Sequence, residues 1–202
     1  MANLIVRNYK LLLATRHLTR QGDTESIQRS DLELAKTMKL NLEAVAGDFH
    51  LNSEALVSGY KTLDGNFGRT QNTAHAFGYA LFMKEEDLMF TPDKDWESIP
   101  FGKNFAEFRD AYNMAEDGGV RKIVDTHANL YQRIFSEITN GNGRHAFTHD
   151  SRIEAACAKL VPQYAERLGA PMDYGETLAL VTKDNKVYQP LAIVRRYGIQ
   201  DV

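Results

Sequence analysis

Cysteine is almost missing from this chain, with one in 202 residues. A single thiol excludes an intramolecular disulfide framework, and Cys157, on the apolar side of a helical pattern, reads as a small buried hydrophobe in a reducing compartment. No apolar run approaches the roughly 18 residues of a membrane span. The first residues lack the basic region, apolar core and small-residue cleavage site of a secretory leader, so a soluble, cytoplasmic protein is expected. An excess of one charge sign is missing too: 24 Lys and Arg face 27 Asp and Glu, a net −3. Nucleic-acid binding by wholesale phosphate neutralisation is therefore disfavoured, as is a membrane partner. Solenoid-period repeats and low-complexity tracts are absent as well.

What is present is ordinary globular material, 43% hydrophobic and 25% charged, enough to build a core without disulfides or a structural metal. The strongest periodic signal begins at Gly119. Val120, Ile123, Val124, His127, Leu130, Tyr131, Ile134 and Ile138 recur at steps of three and four, which predicts an amphipathic helix about 30 Å long. Ser151-Arg152-Ile153-Glu154 has capping-box form and opens a second patterned stretch through Leu168. Two such helices joined by a short connection are expected to pack antiparallel. Thr177–Thr182 and Lys186–Arg195, around the turn 183–186, read as a β-hairpin, with Pro190 at an edge or an interruption. The fold expected is mainly α (α+β), a helix-rich single domain over 1–202. Its parts are an N-terminal helical part (1–88), a central helical hairpin (104–169) and a C-terminal β-hairpin (176–198).

Toward the N-terminus, Arg7, Lys10, Arg16 and Arg20 interleave with leucines and precede any acid. The pattern reads as a helix with a solvated basic side, the alternative being a phosphate- or membrane-facing surface. Ser30-Asp31-Leu32-Glu33 is another capping box, and the short helical patterns that follow resemble a helix-turn-helix. Phe90–Phe105 reads as a long loop held by aromatic packing, with Trp96, Phe101 and Phe105 as candidate anchors for a protein partner.

Three of the six histidines lie between residues 127 and 149, and this clustering is the one chemical feature above background. His145 and His149 would share a face of a helix, with Asp150 adjacent and His127 one helix upstream. The His149-Asp150 dyad is similar in arrangement to the HD-type phosphohydrolases, which implies metal-assisted phosphate hydrolysis. Gly141, Asn142, Gly143 and Arg144 form a turn whose backbone amides suit an anion. The segment from Ser136 to Arg144 resembles the Fic motif in its last four residues, implying nucleotidyl or phosphoryl transfer. It departs from that motif at Ser136, Ile138 and Asn140.

No catalytic constellation is complete, no metal site is assigned and no cofactor is identified. The leading expectation is macromolecular binding, as a regulator, inhibitor, adaptor or assembly component with a protein partner. The second is a phosphoryl- or nucleotide-processing enzyme using His127, His145, His149, Asp150 and the Asn140–Arg144 turn. Oligomeric state is unreadable.

Overall fold

The structure, a computed structural model, describes residues 7–19, 27–58, 68–89, 102–149 and 151–202. Its centre is a mixed sheet of eight strands. These are β1 (Lys10–Arg16), β2 (His50–Leu51), β3 (Glu54–Val57), β4 (Leu81–Lys84), β5 (Asn142–Thr148), β6 (Thr177–Thr182), β7 (Tyr188–Arg195) and β8 (Gly198–Asp201). The order is β4-β3-β5-β1-β6-β7-β8, with β2 also on β5. Strands β1, β3, β4 and β5 run parallel, while β6, β7 and β8 add antiparallel.

Helices cover both faces. Leu12 and Ala14 of β1 join a core with α4 (Gly119–Glu137) and α5 (Arg152–Leu160). Leu11 and Leu13 join the opposite core, with α1 (Arg29–Ala46) and α2 (Arg69–Ala76). Helix α3 (Phe105–Met114) packs on the α4/α5 side through Phe108, and the short α6 (Ala165–Leu168) closes that layer. With both sides of the central strand buried, its sequence loses the alternation of a half-exposed strand and becomes a continuous apolar run.

The helix-rich domain with one hairpin is therefore corrected to an α/β fold. Leu11–Thr15 belongs to a central strand rather than a basic-sided helix, because neighbours on both edges satisfy its backbone. The helix-turn-helix does not form: after α1 the chain turns at Gly47 (φ +52°) and enters β2 and β3. The predicted long helix spans Gly119–Glu137, but β5 then carries the chain back through the sheet before α5 begins. The tight antiparallel helical hairpin is thus replaced by helix, strand, helix. Helix α5 stops at Leu160, before Pro162.

Strands β6 and β7 pair antiparallel with a register shift between Ala179 and Leu180. Pro190 pairs only with Leu180, since β8 covers β7 from Ala192 onward, so its missing N–H costs no ladder bond on that side. No helix among the described residues is long and apolar enough to cross a membrane.

Candidate active site

In an open α/β sheet, ligands bind beyond the carboxyl ends of the parallel strands, where the connections diverge. Here the residue following each of the longer parallel strands is polar: His17 after β1, Ser58 after β3, Glu85 after β4 and His149 after β5. Two of them meet face to edge. The rings of His17 and His149 lie 5.1 Å apart at 63°.

Neighbouring strands fix His17 from both sides. Its amide donates to Thr148 O at 3.0 Å, and the amide of Arg16 donates to Glu176 O at 3.0 Å. Nδ1 lies 2.8 Å from Leu18 O. A carbonyl only accepts, so Nδ1 carries the proton and Nε2 keeps its lone pair. No described residue bonds to Nε2. His149 Nε2 is 3.0 Å from Ser58 Oγ, which is 2.8 Å from Thr70 Oγ1 at the start of α2. Thr73 Oγ1 accepts from Leu18 N at 2.9 Å, tying α2 to the segment beside His17.

Cations surround the pair. Arg16 donates to Met172 O at 2.6 Å and lies 4.3 Å over the Tyr174 ring, itself 5.5 Å from the His17 ring. Arg69 is the first residue of α2, whose N-terminus has no side-chain cap. Arg152, first in α5, is buried and follows Ser151 in the left-handed region (φ +61°), a conformation that strains a serine. Burial lowers the His17 pKa to about 4; the hydrogen bond to the Leu18 carbonyl opposes it as the next-largest effect, and the charges of Arg69, Arg16 and Arg152 each add a smaller lowering. Burial, then His17 and the same three arginines, bring His149 down to about 2. Both rings are neutral at pH 7. Two uncharged imidazoles among three guanidinium groups give the site a positive potential that suits an anion.

The chain shares this architecture with solved enzymes. A phosphoglycerate mutase from Bacillus anthracis str. Sterne superposes with a TM-score of 0.62 at 12% identity, over 95% of this chain and 96% of that one. The fold is phosphoglycerate mutase-like. A phosphoserine phosphatase from Entamoeba histolytica, in complex with 3-phosphoglyceric acid, gives 0.57 at 12% identity, over 92% and 96%. The protein histidine phosphatase SixA, complexed with tungstate, gives 0.58 at 12% identity, over 93% and 97%. No family model matches the chain, and neither does any curated protein sequence.

These findings overturn macromolecular binding as the leading function, along with its helical, regulatory character. The fold is shared with a phosphoglycerate mutase and with phosphatases, and arginines and imidazoles cluster at the carboxyl edge of its sheet. Trp96 and Phe101 lie outside the described residues. Phe105 is 1% exposed in the core, so it anchors no partner.

Of the predicted histidines, His149 alone joins the site. His145 lies inside β5, its Nε2 bonded to Thr15 Oγ1 at 2.6 Å and its Nδ1 to Tyr79 Oη at 3.2 Å. Four residues of strand separate it from His149 by about 13 Å, whereas a helix would have put the two on one face. His127 is fully buried on α4. Asp150 lies outside the described residues, and among those described no cluster of His, Cys, Asp and Glu is arranged to hold a metal.

The glycine turn is no anion nest. Gly141 N donates to Tyr9 O at 2.7 Å and Asn142 N to Thr139 O at 3.1 Å, while Gly143 and Arg144 enter the β5 ladder. Arg144 pairs with Glu137 at 2.9 Å. Cys157 is buried, its thiol pushed well up by desolvation. Sequence reasoning missed His17, Ser58, Arg69 and Arg152, and weighed Arg16 only within the alternative of a phosphate- or membrane-facing basic surface. The available signal was an Arg-His pair directly after five apolar or β-branched residues, the form of a buried strand with a polar carboxyl end.

Proposed function

We propose that the protein is a phosphoryl-transfer enzyme that acts on phosphomonoesters through a phosphohistidine at His17. The observation carrying this reading is the neutral His17/His149 pair held among Arg16, Arg69 and Arg152. Guanidinium groups suit the dianion of a phosphate ester in charge and in hydrogen-bond geometry. The lone pair of His17 Nε2 attacks phosphorus, the ester P–O bond breaks, and the leaving oxygen takes up a proton as the alcohol departs. Water then attacks the phosphoryl group and gives up a proton, and the P–N bond electrons return to Nε2.

The arginines stabilise charge on the transferring phosphoryl oxygens, where electrostatic preorganisation contributes most. When Thr70 donates to Ser58 and Ser58 to His149 Nε2, His149 Nδ1–H is left to donate to a phosphoryl oxygen. The lone buried cysteine suits work in a reducing, cytoplasmic compartment.

The test combines turnover of p-nitrophenyl phosphate with mass-spectrometric trapping of acid-labile phosphate on the enzyme. Phosphate on His17, lost together with turnover in His17→Ala, is the expected result. Turnover surviving in His17→Ala would overturn the reading.

A further inference from the structure

The cation cluster accounts for the phosphate end of a substrate, and the structure also constrains the other end. A cavity of about 660 Å³ adjoins Arg16, lined by Gly102, Pro171, Asp173, Glu176, Arg195 and Tyr197 among others. Two arginines in its lining make it look like a place for a second anion. The hydrogen bonding of Arg195 says otherwise. Nε donates to Gln200 Oε1 at 3.1 Å, Nη1 to Pro171 O at 3.1 Å and Glu176 Oε2 at 2.7 Å, and Nη2 to Leu168 O at 2.9 Å and Ala170 O at 3.0 Å.

A guanidinium has five N–H donors, and all five are used within the protein. Its charge is also matched by Glu176. One N–H of the Gln200 amide donates to Arg167 O at 3.1 Å. With Arg16 turned to the phosphate end, the uncommitted charge toward the cavity among the described residues is the exposed carboxylate of Asp173, which accepts the Tyr174 amide at 2.7 Å and pairs with no described cation. Beside it are aromatic surfaces: Tyr174, stacked on Arg16 and close to His17, and Tyr197, 93% exposed.

From this we infer that the enzyme takes phosphomonoesters whose alcohol half is aromatic and carries no second anionic group. The inference rests on the phosphoryl-transfer reading of His17. A ring leaving the phosphate pocket can stack on the tyrosines, as aromatic pairs do at centroid separations of about 4.5–7 Å. A carboxylate or second phosphate would instead meet Asp173, with no unspent donor on Arg195 to compensate.

Hydrolysis rates alone would mix this preference with leaving-group reactivity, so the test uses non-hydrolysable phosphonates. Competitive inhibition and calorimetric binding of benzylphosphonate and 3-phosphonopropionate are compared on the wild-type chain, Asp173→Asn and Tyr197→Ala. Benzylphosphonate is expected to bind at least tenfold more tightly. Asp173→Asn should narrow that ratio by strengthening the carboxylated ligand, and Tyr197→Ala by weakening the aromatic one. Equal or tighter binding of 3-phosphonopropionate, or a ratio unmoved in both variants, would overturn the inference while leaving phosphohistidine formation standing. Absence of phosphate on His17 with every ester would instead sink the reading beneath it.

Discussion

His17 and His149 approach edge to face at 5.1 Å although they are 132 positions apart, each standing one residue beyond the carboxyl end of a parallel strand. Adjacent strands β1 and β5 set that spacing, so the pair is as rigid as the sheet. Neither ring bears a charge at neutral pH, and the positive charge of the site resides on its arginines.

The arginine trio is tested through Arg152, which is buried and close enough to oppose protonation of both imidazoles. Arg152→Met should lower kcat/KM for p-nitrophenyl phosphate by about 100-fold, the scale of losing one preorganised charge in a transition state. It should also raise both histidine pKa values, because a cation disfavouring the imidazolium is gone. Kinetics and imidazole proton shifts check the two parts separately; an unchanged titration would place Arg152 outside the site.

Acid should destabilise the fold through its neutral buried histidines. His17, His145 and His149 have pKa values lowered to about 4, 3 and 2, chiefly by burial, against about 6.5 when unfolded. Below pH 6.5 the unfolded chain binds protons that the folded chain refuses. Stability therefore falls as pH drops, by about 1.4 kcal/mol per unit for each such histidine, until its folded pKa is reached. Above pH 7 these groups contribute no slope. Thermal melts across pH 5–8 are expected to be flat at the upper end and to fall at the lower, with three imidazoles silent in the NMR titration over that range.

Ser58→Ala removes the hydroxyl between Thr70 and His149. Losing about 1 kcal/mol of orienting hydrogen bond corresponds to a roughly fivefold fall in kcat/KM. Ser58→Thr, which keeps the hydroxyl, should recover most of it. Equal activity in the alanine and threonine variants would show that His149 is positioned by other contacts.

Gly143 distinguishes an anion-binding turn from a packing constraint. A Cβ there would lie 2.8 Å from Leu51 Cδ2, 3.2 Å from Leu11 Cβ and 3.3 Å from Leu11 O. Gly143→Ala should cost about 1–3 kcal/mol in denaturant unfolding. KM for a phosphate ester should stay unchanged, since the residue sits at the opposite end of β5 from His149. A raised KM at unaltered stability would restore the nest.

The elements legible in the sequence had one dry face or flanked a marked turn. The stripe from Val120 to Ile138 announced α4 because its other side is wet, and residues 177–195 announced a hairpin through β-branched runs around a polar turn. Strands buried on both faces gave no such rhythm. Leu11–Leu13 matched a helix as well as a strand, and the Asn-Gly-Asn-Gly letters of 140–143 hid the start of β5. The site suffered from the same ambiguity. Arg16-His17 looked like solvated charge on a helix, because only the strand assignment puts the pair at a sheet edge. Ser58, Arg69 and Arg152 are contributed by separate connections, and no local pattern relates them.

The backbone of Arg16 and His17 is clamped between Thr148 and Glu176, segments that the ribosome makes more than a hundred residues later. A nascent chain therefore cannot hold the His17 imidazole in place until β5 and β6 have emerged and inserted on either side of β1. The site takes shape late in synthesis, so a truncated product ending before residue 176 would hold every proposed phosphate ligand and still lack the frame that aligns them.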